Sequence, residues 1–145
     1  MVGLLLVAAG VVFAEETANA NDTAKRIVIL GDSITAGYGL DLKEAYPALL
    51  QAKIDVAKLP YTVANAGVSV DTTAGGLRRV AWAMTKGAEV LVIALGGNDG
   101  LRGISPEETK KNLLSIIKKT RTKNPKIKFL IAGMQIPDNI ASNFT

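Results

Sequence analysis

The chain has 145 residues, 48% of them hydrophobic and 21% charged, with a formal charge of +4. That length suits one globular domain rather than two, and the composition excludes a disordered chain. Cysteine and histidine are both absent, which excludes disulfides and thiolate metal sites and removes the commonest general base and zinc ligand from these residues.

Residues 2–14 form an unbroken apolar or small run. It is short for a bilayer span and fits the apolar region of a signal peptide. Two small-x-small sites follow, Val12-Phe13-Ala14 and Ala18-Asn19-Ala20. A leader over residues 1–20, cleaved after Ala20 or Ala14, is therefore expected, followed by one domain over residues 21–145. An N-terminal core helix is the competing reading. It is weaker, because the run is apolar on every face and leads into polar, turn-prone residues.

Lys25 to Leu30, with Ile27-Val28-Ile29-Leu30 at its centre, reads as the first buried strand. Gly31-Asp32-Ser33 is where that strand gives way to a turn. A serine there lies at the carboxyl edge of a sheet, where open α/β folds hold ligands. The plainer reading is that Ser33 caps the next helix. Glu44 to Lys58 is helical, with Leu49, Leu50, Ile54 and Ala57 at helical spacing and Pro47 tolerable only in its first turn. Tyr61 to Asn65 is a second strand, ending at Ala66-Gly67. Asp71-Thr72-Thr73 can cap a helix running toward Met84, weakened near its start by Gly75-Gly76.

Glu89 to Leu95 is apolar on both faces, as a central parallel strand requires. Gly96-Gly97-Asn98-Asp99-Gly100 is a turn at its carboxyl end. Ser105, Pro106 and Glu108 mark a helix start. That helix is expected to turn Leu113, Leu114, Ile116 and Ile117 inward and its lysines outward, and to end near Asn124-Pro125. Lys128 to Ala132 is a fourth strand. Much of the positive charge lies between Lys110 and Lys128, where no aromatic residue stands ready to stack a base, so nucleic acid is not an expected partner. An anionic lipid surface is compatible with the same charge. The order β-α-β-α-β-α-β predicts a parallel sheet with helices on both faces.

Three strand ends thus carry three polar turns along one sheet edge: Gly31-Asp32-Ser33, Asn65-Ala66-Gly67 and Gly96-Gly97-Asn98-Asp99. They suit acyl transfer, which needs a hydroxyl nucleophile and donors aimed at a developing oxyanion. Ser33 offers the hydroxyl. The backbone N–H groups of Ser33 and Gly67 and the side-chain amide of Asn98 offer donors. Other glycine motifs fail on spacing. Gly37-x-Gly39 has leucine at 42, so it is no dinucleotide fingerprint; no G-x-x-x-x-G-K-[ST] occurs; and Gly31-Asp32-Ser33-Ile34-Thr35 lacks the second glycine of the G-x-S-x-G elbow.

These blocks resemble those of the SGNH, or GDSL, hydrolases. Gly31-Asp32-Ser33-Ile34-Thr35-Ala36-Gly37-Tyr38-Gly39-Leu40 is similar to the first block, Asn65-Ala66-Gly67-Val68-Ser69 to the second and Gly96-Gly97-Asn98-Asp99-Gly100-Leu101-Arg102-Gly103 to the third. Ala45 to Leu50, Asp71 to Arg79 and Gly133-Met134-Gln135 resemble the bacterial arylesterase, thioesterase and lysophospholipase branch. The similarity runs from about Lys25 to about Pro137.

The resemblance implies a flavodoxin-like α/β/α sandwich, with four strands of its parallel sheet present. It implies Ser33 as nucleophile and Ser33 N–H, Gly67 N–H and the Asn98 amide as oxyanion hole. No cofactor and no metal are expected, and export to the periplasm or medium is. The expected substrate is a small acyl ester, with a lipid surface as a further partner and a monomer as the default state. Two departures stand out. Val70 occupies a position where the branch usually has glycine. The D-x-x-H block that supplies the family's base is absent. The chain is therefore expected to be the N-terminal portion of a C-terminally truncated hydrolase domain, nearly inert alone. A catalytically dead acyl- or glycan-binding relative is the alternative.

Overall fold

The computed structural model describes residues 25–135. The expected leader, residues 1–20, and the residues after Gln135 lie outside the described residues. Four strands, β1 (Lys25–Gly31), β2 (Tyr61–Gly67), β3 (Val90–Ala94) and β4 (Lys128–Ile131), form one sheet in the order β2-β1-β3-β4. All three pairings are parallel. This is the α/β fold the sequence predicts. β1 holds an inner place because both its faces are apolar: Val28, Ile29 and Leu30 are at most 1% exposed.

The alternation of the strands sorts two layers. Val28 and Leu30 of β1 and Leu91 and Ile93 of β3 form one core with Val80 of α3 (Thr73–Ala83) and Ile116 of α5 (Pro106–Lys123). An ideal Cβ built on Gly76 would meet Leu95, Leu30 and Ile116 at once, so this glycine lets α3 sit against both sheet and helix. The opposite face carries α1 (Ser33–Ala36) and α2 (Tyr46–Val56). There Val63 and Asn65 of β2 face Pro47, Ala48 and Gln51 of α2.

Gln51 does more than pack. Its Oε1 accepts the Val63 backbone N–H at 2.6 Å, and its Nε2 donates to the Tyr61 carbonyl at 3.3 Å. α2 begins two residues later than Glu44, with Ala45 as its N-terminal cap, and the buried Pro47 falls in the first turn where no N–H is needed.

Ser105 caps α5, its Oγ accepting the Glu108 N–H at 3.2 Å. One expected orientation is corrected here. Leu114 does not face inward but is 56% exposed. The inward stripe at helical spacing is Asn112, Ile116 and Thr120, with Leu113 and Ile117 at its flanks. Thr120 fits that stripe because its hydroxyl donates to the Ile116 carbonyl at 2.8 Å.

Val70 has φ +59°, in the left-handed region that a β-branched side chain rarely adopts. That conformation costs a non-glycine residue about 1–2 kcal/mol. Glycine would relieve it and give back roughly 0.5–1 kcal/mol through its freer unfolded chain. Val70→Gly is expected to raise stability by about 1 kcal/mol, read as a higher denaturant midpoint at unchanged slope.

Candidate active site

The register brings the strand ends level. Gly31 pairs with Gly67 on one side and with Ala94 on the other. All three turns therefore leave the sheet along one edge, as the sequence predicts.

At the first turn Asp32 is 3% exposed, and its Oδ1 accepts the Ile34 N–H at 3.0 Å. Asp32, not Ser33, is thus the cap of α1. Ser33 is the first helical residue, half-buried, with its hydroxyl left out of the capping role. α1 closes at Gly37, whose φ of +78° suits a left-handed terminus.

At the second turn the Gly67 N–H donates to Asn65 Oδ1 at 2.9 Å, while Asn65 Nδ2 donates to the Thr35 carbonyl at 2.8 Å. One side chain thus ties the end of β2 to α1. A Cβ on Gly67 would lie 2.7 Å from Thr35 C and 2.8 Å from Ala36 Cα. Only glycine allows the backbone of α1 to rest there.

The third turn is a short helix, α4 (Gly97–Leu101), entered through Gly96 at φ +130°. A Cβ on Gly97 would lie 3.8 Å from Asp32 Oδ2, so this turn abuts the first. Asn98 Nδ2 donates to the Asp71 carbonyl at 2.9 Å, leaving its second N–H for another acceptor. Asp99 is fully buried. Its carboxylate accepts the Thr73 N–H at 2.9 Å and the Thr73 hydroxyl at 2.5 Å. Both carboxylates of these turns are therefore committed to holding helix starts.

Within the expected cap Asp71-Thr72-Thr73 it is Thr72 that caps α3, accepting the Gly75 N–H at 3.3 Å. The Asp71 carboxylate instead pairs with Arg79 at 2.6 Å. Sequence reasoning did not single out Arg79 for the site, because, of the adjacent Arg78 and Arg79, neither carries a local signal of an inward role.

Beside Asp32 lies a cleft of about 140 Å³, whose apolar wall includes Ile34, Leu95 and Met134. Tyr46 also lines it, and its hydroxyl is 2.8 Å from Thr35 Oγ1. Burial pushes the Tyr46 phenol above its ordinary pKa; the Thr35 hydrogen bond opposes the rise, and the Asp32 charge adds to it. Among the described residues no three acidic side chains cluster as a metal site would require. The edge therefore presents the Ser33 hydroxyl, the Ser33 N–H and the second N–H of the Asn98 amide on turns held in contact, next to an apolar cleft, while the Gly67 N–H is taken up by Asn65 Oδ1. That set can accept an acyl carbonyl.

Residues 29–144 match the GDSL-like Lipase/Acylhydrolase family, and the chain belongs to that family. It is 40% identical over 122 residues to the esterase TesA of Pseudomonas aeruginosa, an overlap of 83% of this chain and 60% of that protein. It is 35% identical over 123 residues to thioesterase 1/protease 1/lysophospholipase L1 of Escherichia coli, 83% of this chain and 56% of that one. Its structure is similar to that of AlinE4, an SGNH-hydrolase family esterase, with a TM-score of 0.76 and 39% identity over 83% of this chain and 65% of that one. The chain thus spans less than two thirds of each of these proteins, and their fold is the flavodoxin-like one that the sequence predicts.

Two outcomes are expected. Gly67→Ala drives a methyl into the backbone of α1 and costs about 1–3 kcal/mol by overpacking, read by chemical unfolding. Ultraviolet titration of the parent protein minus that of Tyr46→Phe isolates the Tyr46 phenol, with a midpoint above the free-tyrosine value of about 10. A raised pKa favours the neutral phenol, so its contribution to stability is full below the unfolded value and is lost as pH rises through the folded one.

Proposed function

We propose that the protein is a serine esterase that hydrolyses acyl esters and thioesters. In this reading Ser33 Oγ attacks the substrate carbonyl. The Ser33 N–H, the free N–H of the Asn98 amide, and the Gly67 N–H as it turns from Asn65 Oδ1, receive the developing oxyanion. Collapse of the tetrahedral intermediate breaks the ester or thioester bond and expels the alcohol or thiol, and water then cleaves the acyl–Oγ bond to give the free acid and Ser33. The observation that carries the reading is the convergence of the three turns on one edge of the parallel sheet, in a chain whose family is acyl-hydrolysing. The names of the two curated relatives, an esterase and a thioesterase/lysophospholipase, support the substrate class. The cleft lined by Ile34, Leu95 and Met134 suits the apolar part of an acyl group.

Attack by a serine hydroxyl needs a proton acceptor. These 145 residues contain no histidine, so in this reading the acceptor comes from a D-x-x-H block outside them. The apolar run at residues 2–14 and the small-x-small sites after it support export. The absence of histidine also favours a second reading, an acyl- or glycan-binding relative without turnover.

Hydrolysis of aryl esters by the protein expressed from its complete gene separates the two. The esterase reading expects turnover and covalent labelling of Ser33 by a fluorophosphonate. It expects Ser33→Ala to fall to within roughly 10³–10⁴-fold of the uncatalysed rate, and Asn98→Ala to lose about 10²–10³-fold in kcat. Binding of acyl ligands with neither turnover nor labelling favours the second reading.

A further inference from the structure

We infer that Arg79, a residue that touches no substrate in the reading above, is the positioning residue of the oxyanion hole. It stands on α3, and its guanidinium reaches three segments at once. Nη2 donates to the Gly31 carbonyl at 2.8 Å, Nη1 to the Ala66 carbonyl at 2.7 Å and Nε to Asp71 Oδ2 at 2.6 Å. The pair is largely withdrawn from water, with 17% of the Arg79 side chain and 11% of the Asp71 side chain exposed.

Each contact bears on one of the three proposed donors. The Ala66 carbonyl and the Gly67 N–H belong to a single planar peptide and point in opposite directions. A donor held on the carbonyl therefore fixes the plane of this peptide, whose N–H donates to Asn65 Oδ1 at 2.9 Å and has to turn only from there to meet an oxyanion. The Gly31 carbonyl, two residues before Ser33, also accepts the Val68 N–H at 3.0 Å. It anchors the start of the Asp32-Ser33 turn to the segment following Gly67. Asp71, held by its carboxylate, offers its own backbone carbonyl to Asn98 Nδ2. The direction of the remaining Asn98 N–H follows from where Asp71 is held.

Arginine is needed for its shape. Its planar fork delivers three donors to three fixed acceptors, which the single ammonium of lysine cannot do. Asp71 balances its charge, so Arg79 acts by geometry and not as a direct electrostatic partner of the oxyanion. A displacement of about 1 Å in a catalytic group costs on the order of 10²-fold in rate.

This inference rests on the serine esterase reading, and the experiment keeps the two apart. Arg79→Lys and Arg79→Ala are made in the protein expressed from its complete gene, with folding checked by circular dichroism. For an aryl ester, kcat is expected to fall about 10²-fold with KM close to the parent value. Millimolar guanidinium is expected to restore part of kcat to Arg79→Ala but none to Asn98→Ala. In ¹⁵N NMR spectra, the Gly67 amide and the Asn98 side-chain amide are expected to shift and exchange faster in Arg79→Lys. Folded Arg79 variants with parental kcat, or with unmoved Gly67 and Asn98 signals, would overturn the inference. If the parent hydrolyses no ester, the esterase reading falls, and the NMR comparison alone decides whether Arg79 orients these donors.

Discussion

A backbone carbonyl has two lone pairs, and a ladder bond uses only one of them. At the ends of β1 and β2, where the Gly31 carbonyl already accepts the Val68 N–H, one guanidinium takes up a further lone pair on Gly31 and one on Ala66. The rest of the edge depends on this contact. Arg79 lies 48 residues from one acceptor and 13 from the other, so it joins the first β-α-β unit to the helix that follows it. Its own charge is tolerable there only because Asp71 is beside it.

A second polar knot stands next to the first in the chain. Thr73 offers both its N–H and its hydroxyl to Asp99, and Asn112 of α5 donates to the same hydroxyl at 3.2 Å. The two knots meet at residues 71–73, so the loop before α3 is held from β1, β2, α4 and α5 together. This accounts for the unusual backbone of Val70. Its carbonyl accepts Arg102 Nη2 at 2.8 Å, and the Asp71 N–H donates to the Val68 carbonyl at 3.2 Å. Strain of this kind persists where the surroundings over-determine the conformation.

How far the sequence could be read follows from the range of the interactions involved. Val28-Ile29-Leu30 and the run into Leu95 announce buried strands because burial on both faces leaves no room for polar residues. Ser105 announces its helix because a cap acts within three residues. The meeting of the three turns was legible too, since parallel strands place their carboxyl ends on one side. The choice of Asp32 over Ser33 as the cap was not, because both are good caps and only the geometry of the strand exit decides. Leu114 misled because a leucine between buried positions satisfies a loose helical count, while Thr120 takes the inward place through a bond to its own helix. Arg79 fell within the Asp71 to Arg79 stretch that carries part of the resemblance, but its role was invisible because nothing near it in the chain reports acceptors that lie on other elements.

The amide of Gln51 has a consequence for how molecules of this protein meet one another. Among the described residues β2 is an edge strand of the sheet, and an edge with a free N–H and carbonyl facing outward is a template on which a strand of a second chain can dock. Gln51 occupies that template. Its oxygen and nitrogen engage the Val63 N–H and the Tyr61 carbonyl as a neighbouring strand's peptide would. A single side chain on α2 thus acts as a one-peptide counterfeit strand, and a helix that packs on a face also guards a border. Intermolecular sheet growth from this side would first have to evict Gln51.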